Sequence, residues 1–140
     1  MNKFENWTLL RFKKMIEEKN ELAIIYRLKQ SRFCSQVCDL LVDSKSSKYY
    51  LAIECKHRKD KISLSFNGDF SESKEGGQLE RLETFCQLSG RIGLIIFKAR
   101  KRVVVGSLIQ ILFEKRRGEK SIGLKNKKIW KDIDEYFNEE

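Results

Sequence analysis

At 140 residues and 16.6 kDa the chain is long enough for one domain, residues 1–140, with a real core. Its 41% hydrophobic content excludes wholesale disorder, and no apolar run reaches the length of a membrane span. The balance is basic, 29 Lys+Arg against 20 Asp+Glu, and residues 98–128 alone hold eleven basic and two acidic side chains, which suits either a polyanionic partner such as nucleic acid or a solubilising surface.

Residues 5–19 place Trp7, Leu9, Leu10, Met15 and Ile16 at helical spacing and predict a helix, with Asn20 as its stop. The β-branched run 22–28 predicts a strand, 36–42 a second and 49–57 a third, the last two joined as a hairpin by the polar turn DSKSSK. Residues 58–77 read as a long polar connection with a short strand at 62–66, punctuated by Gly76 and Gly77. In 78–90, Leu79, Leu82, Phe85, Cys86 and Leu88 share a helical face, and Gly90 supplies the stop. The continuous apolar run 93–97 predicts a buried strand. Beyond residue 100, RVVV reads as a strand, SLIQILFEK as strand or helix, and IWKDIDEYF as a terminal helix. The order implies an α/β fold, a central mixed β-sheet flanked by helices.

The four cysteines, at 34, 38, 55 and 86, form no CxxC pair, and there is one histidine. A zinc site is therefore poorly supplied, and the thiols are expected to be reduced, small buried hydrophobes. The N-terminus shows no signal-peptide pattern, so the expected location is the cytoplasm.

The third strand carries the chemistry. With period-two alternation, Leu51, Ile53 and Cys55 face one side, and Ala52, Glu54 and Lys56 the other. The hairpin brings Asp39 beside Glu54. Two converging carboxylates repel unless a cation lies between them, and hard oxygen ligands favour Mg2+, with Mn2+ as a substitute. An ammonium beside that metal stabilises developing negative charge or orients a water. Asp, fourteen intervening residues, then Glu-x-Lys is the apparatus for metal-assisted phosphodiester hydrolysis, against the plain alternative of a surface ion pair between Glu54 and Lys56.

CDLLV followed by IECK, the FE that opens the first helix, and QLERLETFCQLSG together resemble the PD-(D/E)xK nuclease superfamily, and within it the archaeal Holliday junction resolvases. The resemblance covers roughly residues 3–98; the usual proline before the aspartate is replaced by Cys38, and the chain has no proline. It implies a restriction-endonuclease-like fold, with Asp39 and Glu54 as metal ligands and the Cys55 carbonyl as a backbone ligand. It implies that Lys56 activates or orients the attacking water, that Glu5 completes the acidic site, and that Gln78 stands beside it. For Glu5 the alternative is charge complementing a helix dipole. The loop after the first strand offers Arg27, Ser31 and Arg32 as DNA contacts. His57 turns away from Glu54 and Lys56 and reads as structural, and Asp43 reads as a solvated turn acid.

Among the bases, Arg58, Lys59 and Lys61 follow the strand directly. Lys98, Arg100, Lys101, Arg102, Arg116 and Arg117 extend a phosphate track that fixes position rather than sequence. The resemblance further implies a homodimer, which presents two sites to the two strands of a junction, with no small-molecule cofactor. The apolar segment 103–113 is either its interface or core. The expected function is a metal-dependent, structure-selective endonuclease resolving four-way DNA junctions. The alternatives are another PD-(D/E)xK nuclease with a restriction- or repair-like substrate, and a basic nucleic-acid-binding protein without catalysis.

Overall fold

The computed structural model describes residues 2–28, 36–70, 72–73 and 76–138. Helix α1 spans Lys3–Glu18. Asn2 caps it by accepting from the Phe4 and Glu5 backbone N–H groups at 2.9 and 3.3 Å, which fixes Glu5 in the first turn. Lys19 ends the helix and Asn20 follows at φ +53°, as a stop residue does. The buried stripe is Phe4, Thr8, Phe12, Met15 and Ile16. Trp7 and Leu10, expected on that stripe, are exposed, because the i, i+4 ladder from Phe4 to Phe12 claims the inward face.

Strands β1 (Ala23–Arg27), β2 (Leu40–Ser44) and β3 (Leu51–Arg58) form an antiparallel meander. β2 begins at Leu40 rather than residue 36. Asp39 stands just before it, still tied to β3 by its N–H donating to the Ile53 carbonyl at 3.0 Å. A short 3-10 turn, Ser47–Tyr49, precedes β3. β4 (Ser63–Ser65), β5 (Glu72–Ser73) and β6 (Gly76–Gly77) lie in the connection, with β5 paired to β6. Helix α2 (Gln78–Ser89) ends at Gly90, whose φ of +78° is the left-handed conformation that glycine adopts without strain. Leu88, expected on the inner face of α2, is 85% exposed; Leu79, Leu82 and Cys86 carry that face.

β7 (Ile92–Ala99) lies parallel to β3 over its whole length. β8 (Arg102–Ser107) returns antiparallel and leads into helix α3 (Leu108–Arg116), which settles the strand-or-helix alternative for that segment. β9 (Ser121–Gly123) pairs with β4 across the chain. The C-terminal segment splits into β10 (Trp130–Lys131), paired with β8, and helix α4 (Ile133–Asn138), where one helix was expected. The main sheet has six strands, ordered β1-β2-β3-β7-β8-β10, and is mixed and flanked by helices.

Both faces of β3 are covered. Leu51, Ile53 and Cys55 pack under α1 with Phe4, Phe12 and Leu94. Ala52 packs on the other side with Leu79, Leu82, Phe70 and Ile95. The chain therefore buries Glu54 on a covered face rather than displaying it on an open one. The segment 103–113 also divides: Val104, Val105, Leu108, Ile111 and Leu112 are core, while Ile109 and Phe113 face out. Asp43 is a β2 residue rather than a turn acid, held by Arg91 at 2.6 Å and by the Tyr26 hydroxyl at 2.8 Å. Cys38, Cys55 and Cys86 are free thiols. Among the described residues no helix is long and apolar enough to cross a membrane.

Candidate active site

The site forms where α1, β1, β2, β3 and α2 bring their ends together. β2 pairs Leu40 with Ile53, so Asp39 falls opposite Glu54. The Cys55 backbone N–H donates to Asp39 Oδ2 at 2.8 Å. Gln36, which nothing in the sequence singles out, steadies the approach: its Nε2 donates to the Cys38 carbonyl at 2.6 Å and contacts Asp39 Oδ1 at 3.4 Å. Glu5 reaches the same corner from α1, near enough that its carboxyl and that of Asp39 perturb one another, as do those of Asp39 and Glu54. Arg27, at the end of β1, sits 3.3 Å from Glu5 Oε2.

Glu54 is 6% exposed. Its Oε2 accepts from Gln78 Nε2 at 2.6 Å and lies 3.4 Å from Lys56 Nζ. Lys56 Nζ donates in turn to Gln78 Oε1 at 2.9 Å, closing a Glu54–Gln78–Lys56 ring at the start of α2. The Lys56 ammonium also lies over the Phe70 ring, 5.1 Å from its centroid.

The electrostatics of the acids follow from this crowding. Burial, reinforced by the charge of Glu54, raises Asp39 to about 6. Burial and then the charge of Asp39 raise Glu5 to about 6, against the pull of Arg27. Burial also raises Glu54, opposed chiefly by Lys56. Three carboxylates thus face two cations, Arg27 and Lys56. Among the described residues no group of three or more His, Cys, Asp or Glu side chains is placed to hold a metal ion. The donor chemistry, carboxylate oxygens in surplus over their counter-charges and raised chiefly by burial, is of the kind a hard divalent cation takes.

The chain thus brings Glu5, Asp39, Glu54, Lys56, Gln78 and Arg27 together, with Cys55 between the two ligand candidates. Ser31 and Arg32 lie outside the described residues, as does Cys34. His57 turns to the α1 side, 5.7 Å from the Phe4 ring. Its pKa is lowered by burial and then by Lys98, Lys59 and Arg58.

The basic residues separate into paired and unpaired groups. Arg58 is bound to Asp69 at 2.6 Å, and Lys61 lies 3.6 Å from the same carboxylate. Arg102 faces Asp132, Arg116 pairs with Glu83 and Arg117 with Glu114. Lys59, Lys98, Arg100 and Lys101 have no acidic partner among the described residues. Register places them together: Arg58 pairs with Ala99, Ala99 with Arg102, and His57 with Lys98, so the 100–101 turn and Lys59 share one end of the sheet. That is the end toward which β3 carries Glu54 and Lys56.

The chain thus has a mixed six-stranded sheet whose central strand carries Glu54 and Lys56, beside a helix that opens on Gln78. Among solved structures, the chain is similar to Hjc, a Holliday junction resolvase from the hyperthermophilic archaeon Archaeoglobus fulgidus, over 96% of each chain at a TM-score of 0.67 and 22% identity. At that identity the likeness is one of fold. No protein-family model matches the sequence, and no curated protein matches it.

Proposed function

We propose that this chain is a Mg2+-dependent endonuclease that resolves four-way DNA junctions by phosphodiester hydrolysis. The observation that carries the reading is the linked set of Asp39, Glu54, Lys56 and Gln78 at one sheet end, on a fold shared with a junction resolvase. Asp39 and Glu54 would hold the metal, with the Cys55 carbonyl and Glu5 as further oxygen donors. When bound, the ion supplies Lewis acidity toward the phosphate and lowers the pKa of a coordinated water.

The chain's own groups do the rest. Gln78 and Glu54 fix the Lys56 ammonium so that a remaining N–H can orient the attacking water or meet charge developing on the phosphate. Asp39 is held at the corner by the Cys55 N–H on Oδ2 and by Gln36 beside Oδ1. The water oxygen adds to phosphorus, the bridging P–O bond breaks, and the strand ends in a phosphate and a hydroxyl. Lys59, Lys98, Arg100 and Lys101 bind the backbone of branched duplex DNA and contribute affinity rather than sequence choice. Two cuts need two sites, which a two-fold homodimer supplies; Ile109 and Phe113 on the outer face of α3 offer apolar surface for that contact.

The test compares a synthetic four-way junction with linear duplex, flap and single strand, with Mg2+ and with EDTA. Selective, Mg2+-dependent incision of the junction is expected. Equal cutting of all four substrates would assign the scaffold to another nuclease activity. Binding without cleavage in Mg2+ or Mn2+ would leave a nucleic-acid-binding protein.

A further inference from the structure

Among the described residues, the Lys56 ammonium meets Gln78 Oε1, Glu54 Oε2 and the face of Phe70. The first two take hydrogen bonds or charge. The third excludes water and attracts the cation without accepting an N–H. We propose that Phe70 is a positioning residue for Lys56, and that the Asp69–Arg58 ion pair is the latch that holds it there. The proposal rests on the reading of Lys56 as a group acting on the phosphodiester.

The latch is built from β3 itself. Arg58 is two residues beyond Lys56 and shares its face. Its Nε donates to Asp69 Oδ1 at 2.6 Å, and Lys61 approaches the same oxygen. Asp69 Oδ2 accepts the Ser65 backbone N–H at 2.6 Å, while the Asp69 N–H donates to the Ser65 carbonyl at 2.9 Å. The five-residue loop is thereby closed on itself, with Phe66 and Phe70 stacked at 6.4 Å and both buried. Its base is tied to the rest of the molecule through β4–β9 pairing and the Phe66 N–H to the Lys120 carbonyl. One strand thus presents the lysine and, through Arg58, the anchor of the loop that covers it.

A buried phenylalanine in a core cluster explains packing, but packing alone accepts any apolar group of similar bulk. The proposal requires the ring. The experiment measures single-turnover junction cleavage in Mg2+, junction affinity in EDTA and thermal stability for Phe70→Leu, Phe70→Met and Phe70→Tyr, beside wild type and Lys56→Ala. Leu and Met are expected to cut about tenfold more slowly with affinity within about twofold, whereas Tyr, which keeps the ring, stays within about twofold of wild type. Met supplies a flexible, volume-matched replacement should Leu fail to fold.

Wild-type cleavage rates in both Leu and Met, or an equal loss in Tyr, would overturn the proposal, as would a rate loss that merely follows weaker binding. If wild type cuts and Lys56→Ala does not, those failures fall on Phe70 alone. If wild type does not cut, or Lys56→Ala cuts normally, the functional reading of Lys56 fails and takes the proposal with it.

Discussion

Glu54 and Asp69 are the two buried acids among the described residues, 6% and 4% exposed, and both sit on the α2 side of the sheet. Their surroundings are opposite. Burial alone would raise Asp69, but the Ser65 N–H, the Arg58 guanidinium and the Lys61 ammonium hold it below the usual carboxylate range. Its charge is fully compensated, so the pair is closed and acts as a fastener. Around Glu54, Asp39 and Glu5 the acids outnumber the cations; burial raises all three, and repulsion from a neighbouring carboxylate adds to it for Asp39 and Glu5. The contrast separates a charge-compensated carboxylate from an uncompensated one more sharply than burial does. A buried acid with its counter-charge in place stabilises the fold; a cluster short of positive charge does not.

The largest expected effect breaks the acidic corner. Asp39→Asn, Glu54→Gln and Lys56→Ala should each lower single-turnover junction cleavage by about a thousandfold or more, because each removes charge that only the reaction uses. Junction binding in EDTA should persist in all three.

Asp69→Asn acts on the other region and should show up as stability. Removing one partner of a closed pair leaves Arg58 without its counter-charge, and the loss should be about 2 kcal/mol in denaturant melts near neutral pH. The folded pKa of Asp69 is depressed, so its contribution is present above the ordinary value of 3.8 and lost as pH falls through the folded value. The gap between wild type and variant should therefore close in acid.

Asp39→Asn should do the reverse in EDTA. Asp39 is raised from 3.8 to about 6, so the folded state favours the protonated form, and stability present below the unfolded value is lost as pH rises through about 6. The variant should match wild type at pH 4 and exceed it at pH 8, by up to about 3 kcal/mol. An acidic corner that stabilises the metal-free protein at pH 8 would contradict its shortage of positive charge.

The smallest effects concern the bases. Lys59→Gln and Lys101→Gln should each weaken binding to junctions of any sequence and reduce the slope of log affinity against log salt by about 1. Arg58→Gln should leave that slope nearly unchanged, because Asp69 already neutralises Arg58.

Much of the acidic corner was legible because it is local. Period-two alternation in β3 and a single hairpin register suffice to set Asp39 beside Glu54 and Lys56 on the same face. The helix opening on Gln78 and its stop at Gly90 are likewise local signals. The fastening region was not legible. Asp69 meets Arg58 eleven residues away, and β4 finds β9 far along the chain, so neither contact leaves a period in the sequence. Trp7, Leu10 and Leu88 were placed inward because helical spacing identifies a stripe without fixing its edges. β2 starts later than its apolar run because Gln36 through Asp39 form the turn into the site, held by the Gln36 side chain. SLIQILFEK stayed ambiguous because a short apolar run has no distinguishing period, and the sheet on one side decides for helix.

The most direct measurement is calorimetric titration of Mg2+ into the DNA-free protein at pH 8, comparing wild type, Asp39→Asn and Asp69→Asn. Wild type and Asp69→Asn should bind the ion, and Asp39→Asn should not. Absence of Mg2+ and Mn2+ binding in wild type, or binding that survives Asp39→Asn unchanged, would contradict the assignment of the acidic corner as the metal site.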